Sequence, residues 1–297
     1  MKLLTKLNLV LIVFFGAGGL IIVHLAYTFL MQNARQQVLQ QAELMMASAR
    51  ASRDYTSNQI KPLLLKNPEH ETNFLPQTVP AFAATSLFNQ MRKDYPNYSY
   101  REATMNPTNL VDRADDWETD IIRYFSDHRN EKMLVGERDT PAGRQLYLAK
   151  PIAVAPSCME CHSTPDVAPA AMVKKYGSDN GFGWNLDQIL TAQIVAVPMS
   201  VPIEVAGRAF RHILFFLIAT FVISIIALDA ALYLLVIRPL HKVCRRADRI
   251  SKGEFEIPEL RVHGQDEIAE MTASFNRTAS FNRMHMSLAK ALKMLEQ

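Results

Sequence analysis

Two stretches of this chain are almost free of charge, Leu7 to Leu30 and about Ile213 to Val236. Each is long enough to cross a bilayer, which takes roughly 20 apolar residues in a helix. Gln32 to Leu65 is rich in Gln, Ala, Leu, Met and Arg and meets no Gly or Pro until Pro62, which predicts a long helix continuous with the first apolar stretch. For most of its length a packing helix or a dimer coiled coil is the expected role. Pro80 to Lys93 reads as a shorter amphipathic helix, Asn97 to Thr104 alternates as a strand does, and Ala114 to His128 opens on an acid-rich turn suited to a helix N-terminus. Glu131 to Glu137 and Gln145 to Ala155 are apolar and β-favouring, and Arg-Asp-Thr-Pro-Ala-Gly at 138–143 between them signals a hairpin. After a Pro/Gly-rich excursion, Ile189 to Met199 closes the region as a strand. Helices ahead of an antiparallel sheet predict an α+β domain between the two spans.

Composition adds compartment. The chain has 297 residues, 49% of them hydrophobic, and a formal net charge of only +3, which gives no reason to expect a nucleic-acid partner. Met1 to Lys6 resembles the start of a signal peptide, but the apolar run outlasts a typical signal core of about 7–15 residues and no small-residue cleavage site closes it, so it reads as an uncleaved anchor. Lys2 and Lys6 precede the first span, while Arg238, Lys242, Arg245, Arg246, Arg249 and Lys252 crowd the exit of the second, which predicts that both termini are cytoplasmic. The expected order is a cytoplasmic N-terminus (1–6), a first transmembrane helix (7–30), a periplasmic domain (31–211), a second transmembrane helix (213–236), a C-terminal helical region (237–290) and a tail (291–297) in a bacterial inner membrane. His24 and Asp229 are ionisable groups inside the spans, expected to serve polar packing.

The chemistry concentrates in Cys158-Met159-Glu160-Cys161-His162. A disulfide across two residues closes a tiny loop and serves redox exchange more than support, yet no βαβ pattern of the thioredoxin kind surrounds this pair. Zinc wants four ligands, and no second Cys or His pair at finger spacing stands in the outer segment. Covalent haem is the remaining reading: both thiols add to the vinyl groups and His162 becomes the proximal iron ligand. One motif means one haem c per chain.

Beyond the second span, "IRPLHKVCRRADRISKGEFEIPELRVHGQDEIAEMTASFNR" resembles the HAMP linker, with Pro239, Gly253, Glu267, Phe275 and Asn276 at matching positions. The resemblance implies two helices per chain in a parallel four-helix bundle, hence a homodimer. The outer segment from about Arg50 to Met199 is similar to the family of single c-type haem sensor domains, formerly a domain of unknown function. "VPAFAATSLFNQMRKDYPNYSYREATMNPTNLVDRADDWETDII", "LYLAKPI" and "YGSDNGFGWNLDQILTAQIVAVPM" carry that likeness together with the Cys motif. It implies a PAS-like fold and a haem-based sensor of redox state or a small ligand. Two departures stand out. The best-understood member takes its second iron ligand from a cysteine early in the domain, and no cysteine precedes Cys158 here. Met45 or Met46 is the first candidate for that position, with Met91, Met105, His70 and His128 behind, although Met commonly just fills space. About ten residues follow HAMP without a kinase, cyclase or receptor body, so output is expected to pass to a separate cytoplasmic partner: a kinase, cyclase or chemoreceptor component.

Thr272-Ala-Ser-Phe-Asn-Arg277 is repeated at once by residues 278–283. Six residues inserted into a seven-residue pattern turn the apolar seam by about 100°, and a tolerated slip in a terminal helix is the expected reading. Cys244 is expected to pack as a reduced thiol, Trp184 to cover the haem or sit in the core, and Arg53 and Arg101 to pair with propionates or with surface acids. The functional expectation is a non-enzymatic transmembrane haem sensor. An anchored monohaem electron carrier is the alternative, and a haem peroxidase lacks a distal His-Arg pair at recognisable spacing.

Overall fold

A computed structural model describes residues 3–254 and 257–295; Lys2, used above for orientation, and the last two residues of the expected tail lie outside them. Two helices are long and apolar enough to cross a membrane, Leu4–Leu64 and Ser200–Ser251. The first is α1 (Leu3–Tyr55), a π-helical turn (Thr56–Ile60) and α2 (Lys61–Leu64). Pro62 is the second residue of α2, which follows the π turn directly, and the helix passes through it. The chain divides into one unit of residues 24–211 and another formed by the stretch up to Val23 and everything from His212 onward.

In the first of these units a four-stranded antiparallel sheet has the order β1-β4-β3-β2, with β1 at Ser99–Thr104, β2 at Leu134–Thr140, β3 at Gly143–Ala153 and β4 at Ile189–Pro198. This is a mixed α/β domain with a small antiparallel sheet, as the α+β expectation requires. Strand alternation sends Leu146, Leu148, Val195, Val197 and Tyr100 to one face, where they meet Val38, Ala42, Met45, Met46 and Ala49 of α1 and Ala84 and Phe88 of α4 (Pro80–Met91). The other face sends Ala103, Ala149, Ala192 and Ile194 against Ile121, Ile122 and Phe125 of α5 (Asp116–Asp127). Each fully buried Val, Leu, Ile or Phe among them contributes about 1.5–3 kcal/mol on burial. A capping box fixes the start of α5: the Asp115 side chain accepts from the backbone of Glu118, and Glu118 Oε2 accepts from Asp115 N at 2.9 Å.

Two local expectations are corrected. The hairpin does not occupy 138–143, because Arg138, Asp139 and Thr140 stay in β2 and Gly143, at φ +107°, opens β3; only Pro141 and Ala142 turn. The Pro/Gly-rich excursion before β4 holds a helix of its own, α7 (Ala170–Tyr176), which packs against α3 (Pro68–Thr72). Between β3 and α7 lies the short α6 (Pro156–His162).

From the end of the sheet α8 (Ser200–Leu232), which enters the second unit at His212, runs on through a π turn (Tyr233–Ile237) into α9 (Arg238–Ser251) without a break, and α10 (Glu267–Leu295) packs against α9. Asp229 is not paired with His24; Asn8 Nδ2 donates to its Oδ2 at 2.9 Å, and Phe15 lies 6.2 Å from Phe221. Asp266 Oδ1 caps α10 by accepting from Ala269 N at 2.8 Å. Asn276 clamps the connector twice, Oδ1 accepting from Leu260 N at 3.0 Å and Nδ2 donating to Leu260 O at 2.8 Å. Arg283, from the second repeat, donates to Ile257 O at 2.7 Å and pairs with Glu259 at 3.2 Å.

Candidate functional site

Helix α6 exists because Pro156 supplies a preset φ at its first position and Ala155 stands extended before it. Cys158 and Cys161, three apart, therefore share one helix face. Both are free thiols and half-buried. Cys161 packs with Phe74, Ala168, Ala171, Met172 and Phe182. Burial pushes its thiol up, with Lys61 opposing, so it is held as a neutral thiol rather than the thiolate that redox exchange uses. Glu160 reaches back from the same helix to Lys61 at 3.2 Å.

His162 ends α6 and is the most constrained of the three. Its Nδ1 lies 2.7 Å from the Gly181 carbonyl; a carbonyl only accepts, so Nδ1 carries the proton and Nε2 is left with the lone pair. Thr108 Oγ1 stands 3.4 Å from the same nitrogen. Burial lowers the His162 pKa, with the Gly181 carbonyl opposing, so the ring is neutral near pH 7, the form that ligates iron. Trp184 stacks flat on it, centroids 3.8 Å apart and planes within 4°.

Asn106 holds this arrangement. Its Oδ1 accepts from Gly181 N at 2.9 Å, its Nδ2 donates to Phe182 O at 3.0 Å, and its backbone oxygen accepts from Trp184 Nε1 at 3.1 Å. Gly181 sits at φ +85°, and a Cβ there would come within 2.7 Å of Thr108 Cα and 2.8 Å of Thr108 N. No other residue allows the two loops to approach so closely.

These residues fit a covalently held haem. Among the described residues no three Cys, His, Asp or Glu side chains converge as a metal cage, whereas a porphyrin brings four of the iron's ligands itself. Two thiols one turn apart, an imidazole with a free Nε2 oriented by a carbonyl, and an apolar wall are the donor set that attachment needs. Ser163 Oγ, next to His162, is buried with no partner, an orphaned polar atom at the same place.

The other expected residues fall elsewhere. Met45 and Met46 lie in the core cluster of α1 with Phe88 and Tyr100, while Cys161 belongs to a different cluster. Met91 packs on that first cluster and Met105 is exposed. His70 is buried, 5.5 Å from Phe74, which shares the Cys161 cluster; His128 stacks on Tyr124 at 4.4 Å. Arg101 is spent on Glu118 at 3.3 Å and Arg113 O at 2.8 Å. Arg53 pairs with buried Glu102, whose Oε1 accepts from Tyr100 Oη at 2.6 Å. Cys244 is exposed rather than packed. The roles of Asn106, Thr108 and Gly181 show no local pattern in the sequence, since Asn106 and Thr108 find their partners 54–78 residues away.

Residues 31–198 match the Tll0287-like family and residues 231–280 match the HAMP domain. Among solved structures, the crystal structure of the cyanobacterial heme-protein Tll0287 is similar at 14% identity and a TM-score of 0.42, over 54% of this chain and 94% of that one. No curated protein matches the chain.

Proposed function

The chain belongs to the Tll0287-like family and carries a HAMP domain, and on that basis we propose that it is a haem-binding transmembrane signal transducer of the inner membrane. Its domain at 31–211 faces the periplasm, both termini are cytoplasmic, and one haem c is bound covalently through Cys158 and Cys161 with His162 as the iron ligand. A homodimer joined through HAMP passes the signal to a cytoplasmic kinase, cyclase or chemoreceptor component. The observation that carries this reading is the pairing of two half-buried thiols on α6 with an imidazole whose Nδ1 proton is given to Gly181 O at 2.7 Å.

When bound, the haem supplies an iron centre whose oxidation state and ligation respond to redox poise or to a small ligand. The chain's own residues do the rest. Asn106 fixes the Gly181 peptide, Gly181 fixes the His162 tautomer, and Trp184 prevents the ring from turning. The Lys61–Glu160 pair ties α6 to the end of the first long helix. From the sheet, β4 leads into α8 through Met199 alone, whose N–H donates to Arg144 O at 3.0 Å and whose carbonyl accepts from Ile203 N at 3.1 Å. A change at α6 therefore has two routes to the membrane helices, and differential strain in the two states is what biases HAMP.

The test is peroxidase staining after denaturing electrophoresis of the full chain made in a host that matures c-type cytochromes. A stained band that disappears in a Cys158→Ser, Cys161→Ser double variant is expected. An unstained wild-type chain overturns the reading.

A further inference from the structure

The sheet face that carries α5 holds a groove with no part in the site above. An open hollow of about 340 Å³ lies between α5 and the β2–β3 ribbon, with Trp117, Asp120 and Tyr124 on the helix side and Leu134, Glu137, Arg138 and Tyr147 on the strand side. The three aromatic side chains are each half-buried, and Trp117 meets Tyr147 edge-on at 5.7 Å. Their floor depends on a glycine: Tyr147 stands opposite Gly136 in register, and its ring lies where a Cβ at 136 would be.

Arg138 supplies the charge. Its guanidinium lies over the Trp117 ring, 3.9 Å from the centroid, and among the described residues it has neither an acid within ion-pair reach nor a hydrogen bond. The two acids that line the hollow, Glu137 and Asp120, each pair with another cation. Glu137 is held by Arg35 at 2.8 Å and Arg144 at 2.9 Å. Asp120 turns to Arg123 at 3.8 Å, and buried Glu118 is bound by Asp115 N at 2.9 Å and Arg101 at 3.3 Å. A guanidinium stacked on an aromatic face keeps its N–H edges free, and that planar fork matches the two oxygens of a carboxylate. Aromatic walls around it suit a flat apolar body. A cationic ligand would meet the Trp117 face already covered and a like charge in the way.

We infer that this groove binds a small planar organic carboxylate, its carboxylate forked on Arg138 and its ring set among Trp117, Tyr124 and Tyr147. It is a second input to the domain, built on α5, β2 and β3, and independent of the thiols and imidazole on α6.

Ligand-observed saturation-transfer NMR on the detergent-solubilised, haem-loaded full chain tests it, with benzoate as probe and benzylamine as the opposite charge on the same ring. Benzoate is expected to saturate in the millimolar range, as suits so small a probe, and benzylamine to bind more weakly. Arg138→Gln is expected to weaken benzoate about ten- to a hundredfold, and Arg138→Lys to restore only part, since a point charge cannot fork. The haem-stained band of both variants should equal that of the wild type and their melting temperatures should fall by no more than a few degrees, the share of the lost contact with Trp117, which separates failure here from failure of the haem reading. Benzylamine binding as well as benzoate, no benzoate binding, or full affinity in Arg138→Gln would each overturn the inference.

Discussion

Replacing Gly181 by alanine tests the site at its tightest point, and Gly177 provides the control. Both glycines have positive φ, +83° at 177 and +85° at 181, but a Cβ at 177 meets nothing within 4 Å while one at 181 runs into the Thr108 backbone. Backbone conformation alone costs a non-glycine residue about 1–3 kcal/mol at either position. At 181 the backbone must also move, which breaks the bonds to Asn106 Oδ1 and His162 Nδ1, a further ~1 kcal/mol each. The extra loss of about 2 kcal/mol corresponds to a melting temperature roughly 4–8 °C lower for Gly181→Ala than for Gly177→Ala in a domain of this size. Thermal unfolding of the two full-length variants, followed by near-ultraviolet circular dichroism in one detergent, makes the comparison. Equal melting temperatures would refute the close approach on which the orientation of His162 rests.

Three further outcomes are expected. Burial pushes the Glu118 carboxyl above its usual range, with the Asp115 N–H and Arg101 opposing, so the native state holds that proton more tightly than the unfolded chain does. Stability should therefore fall as pH rises from about 4.5 through the raised native value. Glu118→Gln should flatten that slope in urea titrations while keeping the cap, and an unchanged slope rules the assignment out; Glu118→Ala should lose about 1 kcal/mol more. Arg53→Met leaves the buried Glu102 carboxylate without its cation, a loss of about 3–5 kcal/mol that adding Glu102→Gln should largely reverse in chemical denaturation; no recovery in the double variant would mean that Arg53 acts through packing. In HAMP, Asn276→Ala should loosen the connector, seen as faster amide exchange at Leu260. Asn282→Ala should not, because the second repeat's asparagine makes no hydrogen bond among the described residues; matching effects would mean that the two copies exchange roles.

What could be read in advance was whatever depends on near neighbours. The helix through Tyr55, the acid-rich start of the helix at Asp116–Asp127, the strand of Ile189–Pro198 and the Cys158–His162 motif each declare themselves within a few residues. Helix α7 was hidden because it begins after Pro169 without a side-chain cap and ends at Gly177, so its flanks look like loop. The partner of Asp229 is hidden for another reason: Asn8 is uncharged and lies 221 residues away, so nothing near either residue marks the pair. Asn106, Thr108 and Gly181 form their contacts only once β1 and β4 have paired. Sequence spacing cannot report a junction made by sheet register.

The joint at Met199 has a mechanical meaning. One residue separates the last sheet strand from the helix, its N–H bonded to the sheet and its carbonyl to the first turn of the helix, and Met199 itself is buried. Such a connection leaves no slack between β4 and the first turn of α8. Two or three glycines inserted after Met199 would supply it, and with it a way to uncouple strand from helix without touching either.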